Sequence, residues 1–598
     1  MAITGTGDVQ EGLIDAAVSD AAGGTQSEPD ANCPRFKTLA LFVVVSVGRF
    51  AFSLDRNVFA ISPDEPANLA MARWLAGQGH WNMFTSATYR PGLATLLTPL
   101  FWLADDQNII IRSAFLFAAL CGGASAVLLA HLARRLTDIS WTGAILAAGT
   151  VALLPAGLSA SAHVWAEPLV TLLFLGTLCL LIRFLDHPRL RVGLAAVALS
   201  AASYTAHGRM FALFAVVVCV VCGVFVVNHR WRHAVVVAST SAALGWATAL
   251  YANLFYDNLW TDPGEFNTFA SVASRLTDPV EVVRSGLGQL WYLLTSTIGI
   301  FGIGMAVAVA GAIGARDDRR TRDLRLVIAI TLPLLALSAV FMSNRGRVDQ
   351  LVYGRYNDAV VWPLLIVGIA GLAGLPAGRW SDLPRWMRST ILGIALAMLE
   401  AGMVVEITLR GRNRQQVEFV DMIAGLAPVL GGADRLPVVW ITLGAAAIFG
   451  LTVVIVLRSG DRARTLVATV CMLLVLVAGL ATRDAMDFAA PDLGHESRAV
   501  RNIEGRELPA GVEVVYGFVP ELLDPGVGSY MQGYYSQLYQ WYLPDHQFRL
   551  TASGDYGSRA YVFAPLHDRI LEDSNACVLW QDPAISMALW FSNPDCPP

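Results

Sequence analysis

Three groups of residues in this sequence could do chemistry together. Adjacent carboxylates, Asp64 and Glu65, follow directly on the first hydrophobic span. Glu167, in SAHVWAEPLVTLL, stands at the head of a later span. Arg345, Arg347, Arg355 and Tyr356 fall in SNRGRVDQLVYGRYN, between two further spans. A carboxylate held where water meets lipid can take the proton of a hydroxyl, which is a poor nucleophile until it loses it. An arginine beside it can give a phosphate two charge-assisted hydrogen bonds. Each group also has a plainer reading. Asp64 ahead of Pro66 is a sound helix cap, Glu167 next to Pro168 complements a helix dipole, and an arginine at a span end anchors to anionic headgroups. The residues alone leave both readings open.

The elements that must position these groups are membrane spans. Of 598 residues, 55% are hydrophobic and 15% charged, which excludes an ordinary soluble domain and points to a polytopic membrane protein. Residues 1–34 are polar and aperiodic and are expected to be a disordered cytoplasmic tail. From 35 to 482 about thirteen apolar stretches, each near the ~20 residues a bilayer needs, predict transmembrane helices. The first is 38–54; the rest lie near 109–132, 141–160, 164–184, 192–206, 208–227, 234–256, 289–312, 325–342, 358–376, 389–408, 436–457 and 464–481. Arginine-rich loops follow every second span, Arg134-Arg135 being the first. By the positive-inside rule this puts the N-terminus in the cytoplasm and the three groups on the other face. Arg90, His163, His207 and Arg209 stand at span ends on that face and are candidates to line a shared cavity. The run 66–78 has an apolar face and reads as a helix lying in the interface, with Trp74 and Trp81 at headgroup level.

The stretch DEPANLAMARWLAGQG, followed by YRPGLATLLTPLFWL and NIIIRSAFLFAALCGGASAVLLAHLARRL, resembles the start of the GT-C superfamily of membrane glycosyltransferases. Its nearest likeness is to the protein O-mannosyltransferases and the aminoarabinose transferases. YGRY, before DAVVWPLLIVG, resembles an Arg-Tyr motif that some members place ahead of a late span. The resemblance implies a GT-C-like, mainly α fold and a polyprenyl-phosphate sugar as donor. It makes Asp64 the base, with Glu65 and Glu167 as further catalytic acids, and Arg345, Arg347, Arg355 and Tyr356 the donor-phosphate contacts. It implies direct displacement with inversion at an extracytoplasmic hydroxyl of a glycan, lipid or protein acceptor. The competing class is a transporter or lipid-linked glycan handling protein, which would show repeats between its halves and charges near midplane.

Residues 483–598 are a different material. Val512–Phe518, Arg559–Ala564 and the run from Cys577 to Trp580 read as strands of a small extracytoplasmic α/β domain. Tyr530, Tyr534, Tyr535, Tyr539, Trp541 and Tyr542 read as the packed face of a helix, with a sugar-stacking platform as the alternative. Cys577 and Cys596, the two cysteines of this segment, are expected to pair in an oxidising compartment. No zinc-type spacing and no glycine-rich phosphate loop occurs, so no nucleic acid or nucleotide partner is expected; a divalent metal beside Asp64 stays open.

Overall fold

The computed structural model describes residues 35–56, 59, 64–79, 81, 83, 90–260, 269–314, 318–343, 346–375, 379–411, 417, 420–430, 435–488, 508, 512–518, 537, 540–543, 546–552, 556, 560–567, 569–582 and 587–592. The tail 1–34 lies outside them.

A segment that crosses lipid must satisfy every backbone group internally, and the apolar stretches accordingly become helices. Among the described residues seven helices are long and apolar enough to cross a bilayer, ten if each of three bent pairs is one crossing. The chain is a multi-pass membrane protein with the polytopic α architecture expected of it. The first helix, Arg35–Phe52, carries Arg35, Lys37 and Arg49, and Leu190–Ala206 is 17 residues long, so neither is among those ten. The stretch 464–481, expected as a separate thirteenth span, is continuous with the twelfth in one helix, Val438–Phe488.

Helix starts follow local chemistry. Asp106, Ser140, Asp278 and Asp318 each accept a backbone N–H from the first turn of the helix that follows, which satisfies donors the helix cannot. Small residues set the closest packing. A Cβ on Gly123 would meet Ser46 Oγ at 2.1 Å, so glycine lets Gln107–Leu136 lie hard against the first helix.

The bends matter most for function. Pro155–Ser161 leaves Trp141–Ala152 at 61°, Ile300–Ile313 leaves Pro279–Ser296 at 107°, and Trp362–Ala373 leaves Val348–Asp358 at 80°. Ile298 and Gly299 make the second bend with φ of 49° and 75°. Irregular backbone at membrane depth is tolerated only where protein or a cavity surrounds it. All three bends lie toward the end of the bundle that carries Asp64, Glu167 and Arg355.

That end is covered by the C-terminal domain, a sheet ordered β2-β1-β3-β5-β4. Its strands are β1 (Glu513–Phe518), β2 (Gln547–Ala552), β3 (Tyr561–Pro565), β4 (Cys577–Asp582) and β5 (Met587–Phe591). β1 runs parallel to β2 and β3, while β5 runs antiparallel to β3 and β4. β2 and β5 were not among the expected strands. Trp541, 1% exposed, packs edge-on to Phe59 and Phe101 and against Trp81, so at this position the aromatic segment is core. The other tyrosines of that segment, Tyr542 apart, lie outside the described residues. The same contacts correct the reading of 66–78. The helix Asp64–Leu75 is buried from Glu65 to Arg73 instead of lying in an interface. Its apolar face packs inward, and Arg73 Nη1 donates to the Gln540 carbonyl at 3.0 Å while Trp81 Nε1 donates to Gln537 at 2.6 Å.

Candidate active site

Asp64 and Glu65 open one helix, and neighbours on a helix point about 100° apart. They therefore serve different partners. Asp64 Oδ2 lies 2.8 Å from Arg355 Nη1. Glu65, fully buried, lies 3.5 Å from Arg56 Nη2 and 3.8 Å from His163 Nε2. Of the two, Asp64 is the one with a face left to solvent, its side chain being 19% exposed.

Arg355 joins the first loop to the fourth span. Its Nε and Nη2 donate to the two oxygens of Glu167 at 2.8 and 3.2 Å, the two-pronged pairing for which a guanidinium is shaped. Its Cζ lies 3.7 Å from the centre of the Trp165 ring. His163 stacks on Trp165 at 3.8 Å. Two groups this close to one ring must take opposite faces, so Trp165 is the middle of a sandwich. His163 Nε2 also meets Asp421 Oδ2 at 3.0 Å, and its Nδ1 lies 2.8 Å from the Ser159 carbonyl.

The YGRY turn fits this place for a steric reason. A Cβ on Gly354 would fall 2.0 Å from Tyr292 Cζ, so only glycine admits the turn beside that ring. Tyr292 Oη in turn donates to Asp358 at 2.7 Å and accepts from Gly425 N at 3.0 Å. Gly354 N donates to the Met422 carbonyl at 3.0 Å, which fixes the segment bearing Asp421 over the site.

A second guanidinium stands beside the first. Arg209 is 2% exposed, with Cζ 4.2 Å from the Tyr356 ring; Arg355 Cζ is 6.0 Å from that ring. Neither Nε nor Nη2 of Arg209 meets a hydrogen-bond acceptor among the described residues. His207 lies edge-on to Tyr356 at 4.9 Å. Burial, then the charges of Arg209, Arg355 and Arg90, hold its imidazole well below the usual histidine range, so it is neutral. Arg90 lies over Tyr204 at 4.5 Å and donates to its hydroxyl at 3.2 Å.

The structure thus brings together Asp64, Glu167, Arg355 and Tyr356 with His163, His207 and Arg209, and turns Glu65 to the rear of the cluster. Arg347 pairs with Asp349 at 2.6 Å. Arg345 and Cys596 lie outside the described residues; Cys577 is disulfide-bonded. Sequence reasoning missed Arg56, Trp165 and Asp421. Only Trp165, two residues before Glu167, had a signal close at hand. Among the described residues no group of three or more His, Cys, Asp or Glu is arranged to hold a metal.

Leu93, Leu97, Phe117, Leu169, His163 and Trp165 line a narrow apolar crevice beside this cluster. Trp165 is at once its wall and the platform under Arg355.

The chain has an ArnT-like fold. The chain is similar to ArnT from Cupriavidus metallidurans solved with undecaprenyl phosphate bound, at 15% identity and a TM-score of 0.53 over 93% of this chain and 98% of that one. It matches the apo form of the same protein at 13% identity and a TM-score of 0.53, covering 94% and 99%. The arabinosyltransferase EmbB from Mycobacterium smegmatis overlaps less, at 13% identity and a TM-score of 0.45 over 79% of this chain and 43% of that one. No known family profile and no curated protein matches the sequence.

Proposed function

We propose that this protein is a membrane glycosyltransferase that moves a sugar from a polyprenyl-phosphate donor to a hydroxyl on the extracytoplasmic face, with inversion. The observation that carries the reading is Arg209, a buried cation whose Nε and Nη2 meet no acceptor among the described residues, beside a carboxylate cluster and an apolar crevice. Such an arrangement suits a ligand that is apolar along its length and anionic at its head. A buried charge left without a partner is costly, and functional sites are where that cost is tolerated.

The residues divide the work by their surroundings. Glu167, bidentate on Arg355 and 3% exposed, holds the guanidinium in place. Asp64, paired with Nη1 of Arg355 and reached by solvent, is the base. Arg209 takes the donor phosphate, and the apolar crevice against Trp165 widens to take the first prenyl units. The fork of Arg355, first expected on that phosphate, is filled by the two carboxylates. The arginine-rich loops at the far end favour a cytoplasmic N-terminus, with the site and the C-terminal domain outside. Cys577 would there pair with Cys596.

The test is to give the purified protein a lipid extract containing polyprenyl-phosphate sugars. Mass spectrometry should show one sugar-bearing lipid fall as free polyprenyl phosphate rises. An unchanged lipid pool would remove the reading.

A further inference from the structure

The reacting base and the anchoring carboxylate share one guanidinium. All three nitrogens of Arg355 are engaged, Nη1 by Asp64 and the other two by Glu167. Arg209 Cζ and Arg355 Cζ lie 4.2 and 6.0 Å from the centre of the same ring, Tyr356, so an anion held at the edge of that ring is within reach of both. With both acids ionised, the Asp64–Arg355–Glu167 cluster carries one net negative charge. The sugar phosphodiester next to it carries another.

We propose that Arg355 is handed from the base to the leaving group during transfer. This rests on the assignment of Asp64 as base and Arg209 as phosphate anchor. The acceptor oxygen forms its bond to the sugar's anomeric carbon as its proton passes to Asp64. The bond from that carbon to the phosphate oxygen breaks, and its electron pair stays on the phosphate. Asp64 is then neutral and holds Nη1 only weakly. The phosphate, now a monoester, has gained the charge that Asp64 lost. Nη1 swings to it, so one cation serves the base before transfer and the leaving oxygen after it. The total charge around Arg355 does not change along the way, which spares a low-dielectric site any uncompensated charge. Glu167 keeps the guanidinium anchored throughout, because its two contacts are on the other nitrogens.

The arrangement has a consequence in binding that needs no turnover. Asp64→Asn copies the protonated base, so it should bind undecaprenyl phosphate about tenfold more tightly than wild type, as one added charge-assisted contact would give. Removing a nearby negative charge would also help an anion bind, and a second background separates the two effects. In Glu167→Gln with Arg355→Gln, where no guanidinium is left to hand over, adding Asp64→Asn should change affinity less than about twofold. Titrating undecaprenyl phosphate into the four proteins by native mass spectrometry, with melting curves to confirm folding, reads this directly. Tightening that is equal in both backgrounds, or absent from Asp64→Asn in the presence of Arg355, would overturn the hand-off. Should the paired-glutamine background not fold, Arg355→Lys replaces it: its single nitrogen cannot stay on Glu167 while swinging to the phosphate, and tightening as large as in Asp64→Asn alone would overturn it equally. Loss of undecaprenyl phosphate binding by wild type would instead remove the parent reading.

Discussion

The two ends of the helix bundle treat charge in opposite ways. At the far end, Arg135 meets Asp186 at 2.8 Å and Asp323 at 2.6 Å, and Arg322 meets Asp186 at 2.6 Å and Asp323 at 2.8 Å. Two bases and two acids close a ring that ties together the helices Gln107–Leu136, Glu167–Asp186 and Arg319–Met342. At the site end one guanidinium serves two carboxylates, and Nε and Nη2 of the other, Arg209, meet no acceptor among the described residues. The far ring is complete, so it has nothing to offer a ligand. The near cluster also has two acids and two guanidiniums, but both acids bond to Arg355 while Nε and Nη2 of Arg209 meet no acceptor among the described residues, and that uneven sharing is what a phosphate and a shifting proton can use. Glu167 and Asp186 are opposite ends of one helix, so the closed ring also helps to fix where the open cluster stands.

Breaking each end should therefore have different consequences. The largest effect belongs to Asp64→Asn, which keeps shape but removes the proton acceptor: turnover should fall by about 10²–10⁴ while the melting temperature stays near that of wild type. Turnover within a few-fold of wild type would move the base elsewhere. At the far end, Asp323→Asn should cost about 3 kcal/mol of stability, as breaking a buried pair does, with turnover per folded molecule unchanged. Denaturation in detergent beside a specific-activity assay reads both, and a fall in specific activity at full stability would erase the contrast. The smallest effect concerns pH. His207 has its folded-state value lowered by burial and by Arg209, Arg355 and Arg90, so the unfolded chain takes up the proton first on acidification. The stability tied to this group is present above about pH 6.5 and is lost as pH falls toward the lower folded value. The melting temperature of wild type should drop more between pH 7.5 and 5.5 than that of His207→Gln; equal drops would take His207 out of the charged cluster.

Much of the fold was legible because membrane spans are local. An apolar run declares itself within its own length, and DEPANLAMARWLAGQG followed by YRPGL carries a resemblance in a single stretch. The bends were less legible, since Ile298 and Gly299 look ordinary in sequence and only packing forces their positive φ. β5, MALWF, has Ala588, Leu589 and Trp590 all buried, so no alternation marked it as a strand. The site was legible as a set of suspects and not as a geometry. Asp64 and Arg355 could be named, but the fork between Glu167 and Arg355 joins residues 188 apart, and the contact of His163 with Asp421 joins residues 258 apart. Arg209 reads in sequence as one more arginine at a span end. Its meaning comes only from three dimensions, where Asp64 and Glu167 are taken by Arg355 and its own Nε and Nη2 meet no acceptor among the described residues.

The central claim is that the open charge at the site end exists to hold a lipid phosphate. Native mass spectrometry of wild type, Arg209→Gln and Asp323→Asn with undecaprenyl phosphate tests it most directly. The account predicts that wild type and Asp323→Asn bind alike and that Arg209→Gln binds more weakly by about 1.5–3 kcal/mol, the worth of a hydrogen bond to a charged group. Binding by Arg209→Gln as tight as that of wild type would contradict it.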